Sequence, residues 1–481
     1  MDIDTLNGYG TNKPRGSVTT LLDLVSRDDQ DNTLFPLTSK ITRFTRDENL
    51  RTIPFSSVLR EFTFKGPAEL GQRFTFELSD IACGDLIQGL FIQIKMPDWF
   101  SNLYRQRLQT GLIQYSDPTQ AWTYVNSLGS SILDVATLEV DDQILERITG
   151  DSVSVVSTLF PDLNTAIGVA DVEGRKSLPD MLSWSGTRIL PTEDSWITVP
   201  LLFSMLRERL TATFPLISCR SGTMRVTVSL KRFDQVVRSV SGYRNSSDDT
   251  PLGKIVSFTN GTSSTTPSYP PGLLSIQLLT HGIFVDDPYR QMLLRQPFER
   301  PFREIQQFDF TEPLKYVINK SGNDTVQIQL ELEANQPVEE IVWFLRLKDS
   351  NNNWTNYSAT LEKDYHPVFA PLQPLMTHAK IQGNGMDIVS QEEAWFRSHI
   401  SRAHRGGRAA YDSYIYGYSF AKSPGEHDPT GSINASRLNS LRLTLDVKVP
   451  QTGMEWEVRV FVFAFQWLRF ENGICNKVFI D

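Results

Sequence analysis

Between Tyr414 and Val449 the chain reads as strand, ordered turn, strand, and this segment constrains the fold more than any other. YIYGYSF is an aromatic run suited to a pleated surface. LRLTLDVKV alternates apolar with polar residues from Leu441 to Val449, as a strand with one buried face does. Between them Pro424, Gly425, Pro429 and Gly431 punctuate turns, and Asn434, Ser436 and Arg437 can tie a loop down through side-chain hydrogen bonds.

The same period recurs along the chain. PFSSVLREFTFKG, RFTFELSD, LIQGLFIQIKMP, SSILDVATLEVDD, SWITVPLLFS and TMRVTVSLKRF in the first half are short strand candidates separated by turn signals. LLSIQLLTHGIFV, REIQQFDFTEPLKYVI, DTVQIQLELEA, EEIVWFLRL and VRVFVFAFQWL follow in the second, the last apolar on both faces and therefore expected to be buried on both sides. No long pattern of period 3.6 competes, so the chain is predicted to be all-β. Residues 236 to 273 are rich in Ser, Thr, Gly and Pro and mark the expected boundary between two β halves. The organisation predicted is an N-terminal arm over 1 to 40, a first β domain over 41 to 235, a linker over 236 to 273 and a second β domain over 274 to 481. Longer insertions are expected at 100 to 122, at 150 to 195, where a short helix fits, and at 345 to 365.

The chain has 481 residues, long enough for two β domains of about 200 residues each. Its 28 Phe, 14 Tyr and 9 Trp favour broad packed contacts, and its formal charge of −9 argues against a dominant nucleic-acid face. Cys83, Cys219 and Cys475 are too few and too scattered for a disulfide framework, so a reducing compartment is expected. MDIDTLNGYG lacks the apolar core of a secretory signal, and Val458 to Leu468 is far short of a helical membrane span.

Several groups invite a chemical reading. His399 and His404, with Glu392 and Glu393 nearby, are five residues apart and do not share one helix face as metal ligands four apart do. Arg402, Arg405 and Arg408 could meet an anionic partner, but a solvated or interface loop is the plainer reading. Asp141 and Asp142 are adjacent in a strand pattern, so a polar turn is preferred to a catalytic pair. N-x-S/T sequons occur at Asn245, Asn260, Asn319, Asn323, Asn353, Asn356 and Asn434, and Asn260, Asn323, Asn353 and Asn356 are the candidates for exposed glycosylated loops. The alternative, that these residues simply form turns, is favoured here. No nucleophile elbow, phosphate loop or dinucleotide fingerprint is present, and no catalytic residue, cofactor or metal is assigned.

The pattern P-x-G-x-x-N-x-S-R, at Pro429, Gly431, Asn434, Ser436 and Arg437, resembles the late hairpin of the major capsid proteins of nucleocytoplasmic large DNA viruses, the double jelly-roll family. Further segments match in family order: Pro36 to Arg46, the G-D-L strand start at Gly84, Asp85 and Leu86, Asn126 to Asp151, Pro215 to Ile217, GIFVDDPYRQMLLRQPFE, PVEEIVWFLR and QGNGMDIVSQEEAWFRSHI. Ala435 departs from the family, standing where a bulky residue is common. The resemblance implies two consecutive eight-stranded jelly-roll β-sandwiches with long loop insertions. It further implies a structural protein forming pseudo-hexameric homotrimers, which tile an icosahedral virion shell assembled in the host cytoplasm. Implied partners are copies of the same chain, neighbouring capsomers and minor capsid proteins at the inner face. Contact with an internal membrane would be indirect, and no sequence-specific nucleic acid is implied. By the same resemblance the three insertions form an outward crown. The alternatives are a scaffold of the same fold in an immature virion, and a carbohydrate-binding β-sandwich protein.

Overall fold

A computed structural model of the protein describes residues 53–97, 122–160, 195–204, 213–239, 272–312, 325–348, 352–361, 368–369, 371–404, 414–426, 429–448 and 455–478. The expected arm over 1 to 40, nearly all of the insertion at 100 to 122, and residues 240–271 of the expected linker lie outside the described residues. So do Pro36 to Arg46, Asn245, Asn260, Asn319, Asn323, Arg405 and Arg408.

The strands of the first half are β1 (Phe55–Thr63), β2 (Arg73–Leu78), β3 (Leu86–Met96), β4 (Trp122–Tyr124), β5 (Leu133–Val140), β6 (Gln143–Thr149), β7 (Ser195–Pro200), β8 (Met224–Leu230), β9 (Val237–Ser239) and β10 (Ser275–Val285). Those of the second are β11 (Phe298–Glu312), β12 (Thr325–Glu331), β13 (Pro337–Leu347), β14 (Met376–Gly383), β15 (Met386–Glu392), β16 (Tyr416–Ser419), β17 (Ile433–Asn434), β18 (Leu441–Lys448), β19 (Trp456–Glu471) and β20 (Ile474–Lys477). Three helices matter below: α1 (Gly150–Leu159), α2 (Asp287–Arg295) and α3 (Glu393–Ala403).

Two antiparallel sheets make the first sandwich, ordered β1-β10-β3-β7 and β2-β8-β5-β6. The second repeats the pattern, with β11-β19-β13-β16 facing β12-β18-β14-β15. In each half the first strand pairs with the last and the second with the next to last, which is the jelly-roll wind. The fold is therefore a double jelly roll, eight main strands to each sandwich, as the resemblance implied. β10 follows the expected linker, yet it hydrogen-bonds to β1 and β3 along its length (Phe55 opposite Val285, Leu279 opposite Phe91). The first sandwich is thus closed by a strand from beyond residue 273, and α2 carries the chain across to β11.

Alternation explains the strands that have one wet face. In β2, Phe74, Phe76 and Leu78 are buried while Arg73, Thr75 and Glu77 face water, and each apolar side chain so buried contributes about 1.5–3 kcal/mol. β19 runs buried from Trp456 almost unbroken to Gln466, as its sequence predicted. Its position explains this: it lies between β11 and β13, and α1 brings Val155, Val156 and Leu159 of the first sandwich into the same apolar cluster. α1 also supplies the short helix expected in the 150 to 195 insertion. Its first turn is closed by a reciprocal pair, Thr149 Oγ1 accepting from the Ser152 amide at 3.2 Å and Ser152 Oγ accepting from the Thr149 amide at 2.9 Å.

The late segment is ordered as expected, but it is not a hairpin. β16 pairs with β13 in one sheet, while β18 pairs with β12 and β14 in the other. The intervening residues cross from sheet to sheet, because successive jelly-roll strands at this point belong to opposite layers.

Candidate functional site

For a protein built as two sandwiches, the sites with functional meaning are those that hold the sandwiches together and those left bare for contact. The G-D-L segment serves the first purpose. Gly84 sits at φ +105°, and a Cβ there would lie 3.0 Å from the Ile283 amide nitrogen and 3.1 Å from its carbonyl oxygen, so a side chain is excluded. Asp85 is buried; its Oδ2 accepts from the Val285 amide at 3.0 Å and its Oδ1 lies 3.1 Å from Arg290 Nε on α2. Leu86 packs with Ile217 and Leu293. One tripeptide therefore joins β3, β10 and the helix that leads to the second sandwich.

The second motif clamps a turn. Ile433 and Asn434 pair with Val338 and Pro337. Ser436 Oγ accepts from the Gln336 amide at 2.8 Å, and the Ala435 amide donates to the Gln336 carbonyl at 3.0 Å. Gln336, held at φ +72°, is thereby fixed at the start of β13. Of the three residues expected to tie the loop by side chains, Ser436 does so. Asn434 contributes backbone pairing with no capping bond from its side chain, and Arg437 is exposed. Gly431 allows close approach: a Cβ would come within 2.7 Å of the Phe420 carbonyl oxygen. Thr430 Oγ1 accepts from the Ser423 amide at 3.0 Å and donates to its carbonyl at 2.9 Å, while Pro429 is exposed.

Between the sandwiches lies a buried charged seam that sequence reasoning missed. Arg346 on β13 donates from Nη1 to Asp151 Oδ1 at 2.8 Å, from Nη2 to Asp151 Oδ2 at 3.0 Å, and from Nε to Glu457 Oε1 at 2.8 Å. Arg459 extends the chain of charges to Glu457 at 3.0 Å and to Asp309 at 2.7 Å. Burial opposes the charge of Asp151, but the Arg346 guanidinium outweighs it and holds the carboxyl below its usual range. Burial likewise opposes the charge on Arg346, and Asp151 and Glu457 reverse the outcome, tightening its hold on the proton. A second buried pair, Arg303 Nε to Glu339 Oε2 at 2.6 Å, adjoins Ser204 of the first sandwich, whose Oγ accepts from the Arg303 amide at 2.7 Å. Burial pushes the Glu339 carboxyl up, more than Arg303 pulls it down. The available signal was a set of charges inside apolar strands, Glu339, Glu340 and Arg346 in PVEEIVWFLRL and Glu457 and Arg459 in WEVRVFVF, since buried ions must be paired.

The insertion at 345 to 365 behaves differently from the expected crown. Leu345 to Leu347 belong to β13, Asn352 to Trp354 pack on the first sandwich, and Tyr357, Ala359 and Leu361 return to the core of the second. Asn352 Nδ2 donates to the carbonyls of Asp234 at 2.7 Å and Val237 at 2.9 Å, and Trp354 Nε1 donates to Gln235 at 2.8 Å. Asn353 and Asn356, two of the glycosylation candidates, are 6% and 7% exposed. Asn353 Oδ1 accepts from Arg238 at 3.0 Å, and Asn356 Nδ2 donates to the Thr360 carbonyl at 3.0 Å. A glycan on either would have to displace this packing, which favours the turn-former reading.

The remaining tempting groups are dispersed. His404 meets Glu340 at 2.8 Å in the core, whereas His399 stacks between Trp395 and Tyr418 at 4.8 and 5.1 Å. Among the described residues no cluster of His, Cys, Asp and Glu is arranged to hold a metal. Asp141 and Asp142 form the β5–β6 turn, both at positive φ, and Asp142 pairs with Arg225 at 2.8 Å. No helix among the described residues is long and apolar enough to cross a membrane. Apolar side chains left bare include Phe55 (61% exposed) and Leu59 (59%) on β1 and Trp196 (47%) on β7. These two strands are the edges of one sheet, and register places Leu279, Phe91 and Pro200 on the same face.

Comparison with known proteins decides what this architecture belongs to. Residues 303–475 match the family described as the large eukaryotic DNA virus major capsid protein. The major capsid protein of Trichoplusia ni ascovirus 2c is 23% identical over 93% of this chain and 88% of its own length, so the likeness extends through both sandwiches. Through both sandwiches the chain resembles the major capsid proteins of large DNA viruses. That of Phaeocystis pouchetii virus is 21% identical over 86% of this chain and 91% of its own. Among solved structures, the fold of the PBCV-1 virus capsid matches with a TM-score of 0.66 at 14% identity, covering 90% of this chain and 98% of that one. The Faustovirus major capsid protein matches with a TM-score of 0.60 at 10% identity, covering 97% and 96%. The proteins it matches are structural proteins of the capsid, and that likeness supports a structural component of the virion.

Proposed function

We propose that this capsid protein assembles as a homotrimer with a pseudo-hexameric outline, and that such capsomers tile the icosahedral shell of a large double-stranded DNA virus. The observation that carries the proposal is the repetition of one strand order in two sandwiches locked by a buried seam. A rigid chain bearing two similar barrels gives six barrels when three copies close into a ring. Closed symmetric rings are the common outcome of self-association. Obligate contacts of this kind bury about 2,000–5,000 Å² and are apolar, and the exposed Phe55, Leu59 and Trp196 on one face of this sheet supply apolar surface for one. Assembly is placed in the host cytoplasm, with neighbouring capsomers at the flanks, minor capsid proteins at the inner face and contact with an internal membrane only through them.

Native mass spectrometry of the purified chain, with negative-stain imaging, tests the proposal. A species of three times 54.6 kDa with a six-lobed outline is expected. A stable monomer at high concentration would overturn it. Dominance of the protein in purified virions separates a major shell protein from a transient scaffold.

A further inference from the structure

The C-terminal hairpin of β19 and β20 reaches back to the first sandwich. At its tip, Asn472 and Gly473 take positive φ, and the Ser221 amide donates to the Gly473 carbonyl at 3.0 Å while Ser221 Oγ donates to the Asn472 carbonyl at 3.3 Å. A Cβ on Gly473 would lie 2.4 Å from Ser221 Oγ and 3.3 Å from its amide nitrogen, so a side chain there would displace Ser221. Two residues from this clamp on either segment stands a cysteine, Cys219 and Cys475. Both are buried in the same apolar cluster, on segments that pack against each other, Leu216–Cys219 and β20.

The geometry points to Cys219 and Cys475 as a disulfide-forming pair that bolts the end of the second sandwich to the first. The thiolate of one cysteine attacks a small-molecule disulfide such as oxidised glutathione, forming a mixed disulfide and releasing one glutathione thiolate. The second cysteine, on losing its proton, displaces the other glutathione, so that two thiols are oxidised and one disulfide is reduced to two thiols. Cys83 stays outside the pair, its thiol placed against Ser79 and Thr280.

The closed pair is unreactive as it stands. The thiol contact with Cys475 and burial both push the Cys219 thiol up, so little thiolate is present while the hairpin is shut. A cleft of about 270 Å³ lined by Ser218, Arg220, Ser221, Phe470, Glu471 and Gly473 opens beside the pair. Oxidation therefore requires only that the hairpin lift locally. In a reducing compartment the pair remains two thiols; in an oxidising one it becomes a covalent latch.

The test uses the full chain, purified reduced and brought to equilibrium with oxidised glutathione in urea below the unfolding transition. Free thiols are then alkylated in denaturant and mapped by peptide mass. The expected result is one intrachain disulfide joining Cys219 to Cys475, one alkylated residue, Cys83, and a thermal midpoint raised by several degrees and returned by reductant. Cys475→Ser should abolish the rise. Three alkylated cysteines in the wild-type chain, or a bond involving Cys83 or a second chain, would overturn the inference, and neither readout requires the variant to fold.

Discussion

Arg346 and Asp151 face each other across the seam in a two-pronged ion pair, with both oxygens of the carboxylate engaged at 2.8 and 3.0 Å. Arg346 belongs to a central strand of the second sandwich and Asp151 to the first turn of the helix that caps β6 of the first. The pair therefore joins an element of one barrel to a central strand of the other.

Removing one partner leaves the other ion buried without compensation, which costs about 3–5 kcal/mol. Arg346→Met should therefore lower the stability measured by urea unfolding by that order, because Asp151 and Glu457 lose a shared partner. The double variant Arg346→Met with Asp151→Asn should recover part of the loss. Additive losses would show that the two residues are not coupled.

Acid should act through the same pair. The folded-state carboxyl of Asp151 is held below its ordinary value of 3.8, so its contribution is fully present above that value and is lost as pH falls through the lower, folded one. Glu339 works in the opposite sense: held above its ordinary 4.5, it takes up a proton more readily folded than unfolded, and loses its penalty on acidification. Thermal midpoints followed from about pH 5 to pH 2 should fall less steeply in Asp151→Asn than in the wild-type chain. Equal slopes would remove Asp151 from the account.

Gly431 and Gly385 separate two effects of a side chain. Gly385 has φ +77° with nothing within 4 Å of a Cβ, whereas Gly431 would press a Cβ to 2.7 Å from the Phe420 carbonyl oxygen. Gly385→Ala should cost about 1–2 kcal/mol from backbone strain alone, and Gly431→Ala more, because Phe420 and Ala421 must move as well. Equal costs in urea unfolding would mean that the close approach relaxes freely.

Asp85 ties the Val285 amide and Arg290 together at the crossing between sandwiches. Asp85→Ala would leave the half-buried Val285 amide without its acceptor, at about 1 kcal/mol, and would remove the partner of Arg290 on α2. Hydrogen exchange should rise at Val285 and through Asp287–Arg295 before it rises in the β2-β8-β5-β6 sheet. Uniform exchange would place the role of Asp85 elsewhere.

Asn353 and Asn356 should be unmodified when the folded protein is mapped by peptide mass, since both side chains are buried and hydrogen-bonded, one to Arg238 and the other to the Thr360 carbonyl. A glycan at either site would require that region to be open when the modification is made.

The periods of RFTFEL and LRLTLDVK, and the unbroken apolar run of β19, were enough to define strands and their buried faces, because alternation is a local property of a pleated chain. Gly84, Asp85 and Leu86 were marked by the family resemblance, and Gly431 by turn chemistry, which is local. Which strands would pair was not local. The late segment read as a hairpin because its strands are adjacent in sequence, yet β16 and β18 lie in opposite sheets, and Ser275–Val285 read as the start of the second half though it closes the first. The charges of Arg346, Glu339 and Glu457 were visible as anomalies in apolar strands, but their partners lie on other strands, and for Arg346 also on a helix of the first sandwich, brought together only by the tertiary fold. Sequence by itself determined the elements and their wet and dry faces. Only the tertiary structure decided the pairings, the charged seam and the meeting of Cys219 with Cys475, because those depend on contacts that chain order does not encode.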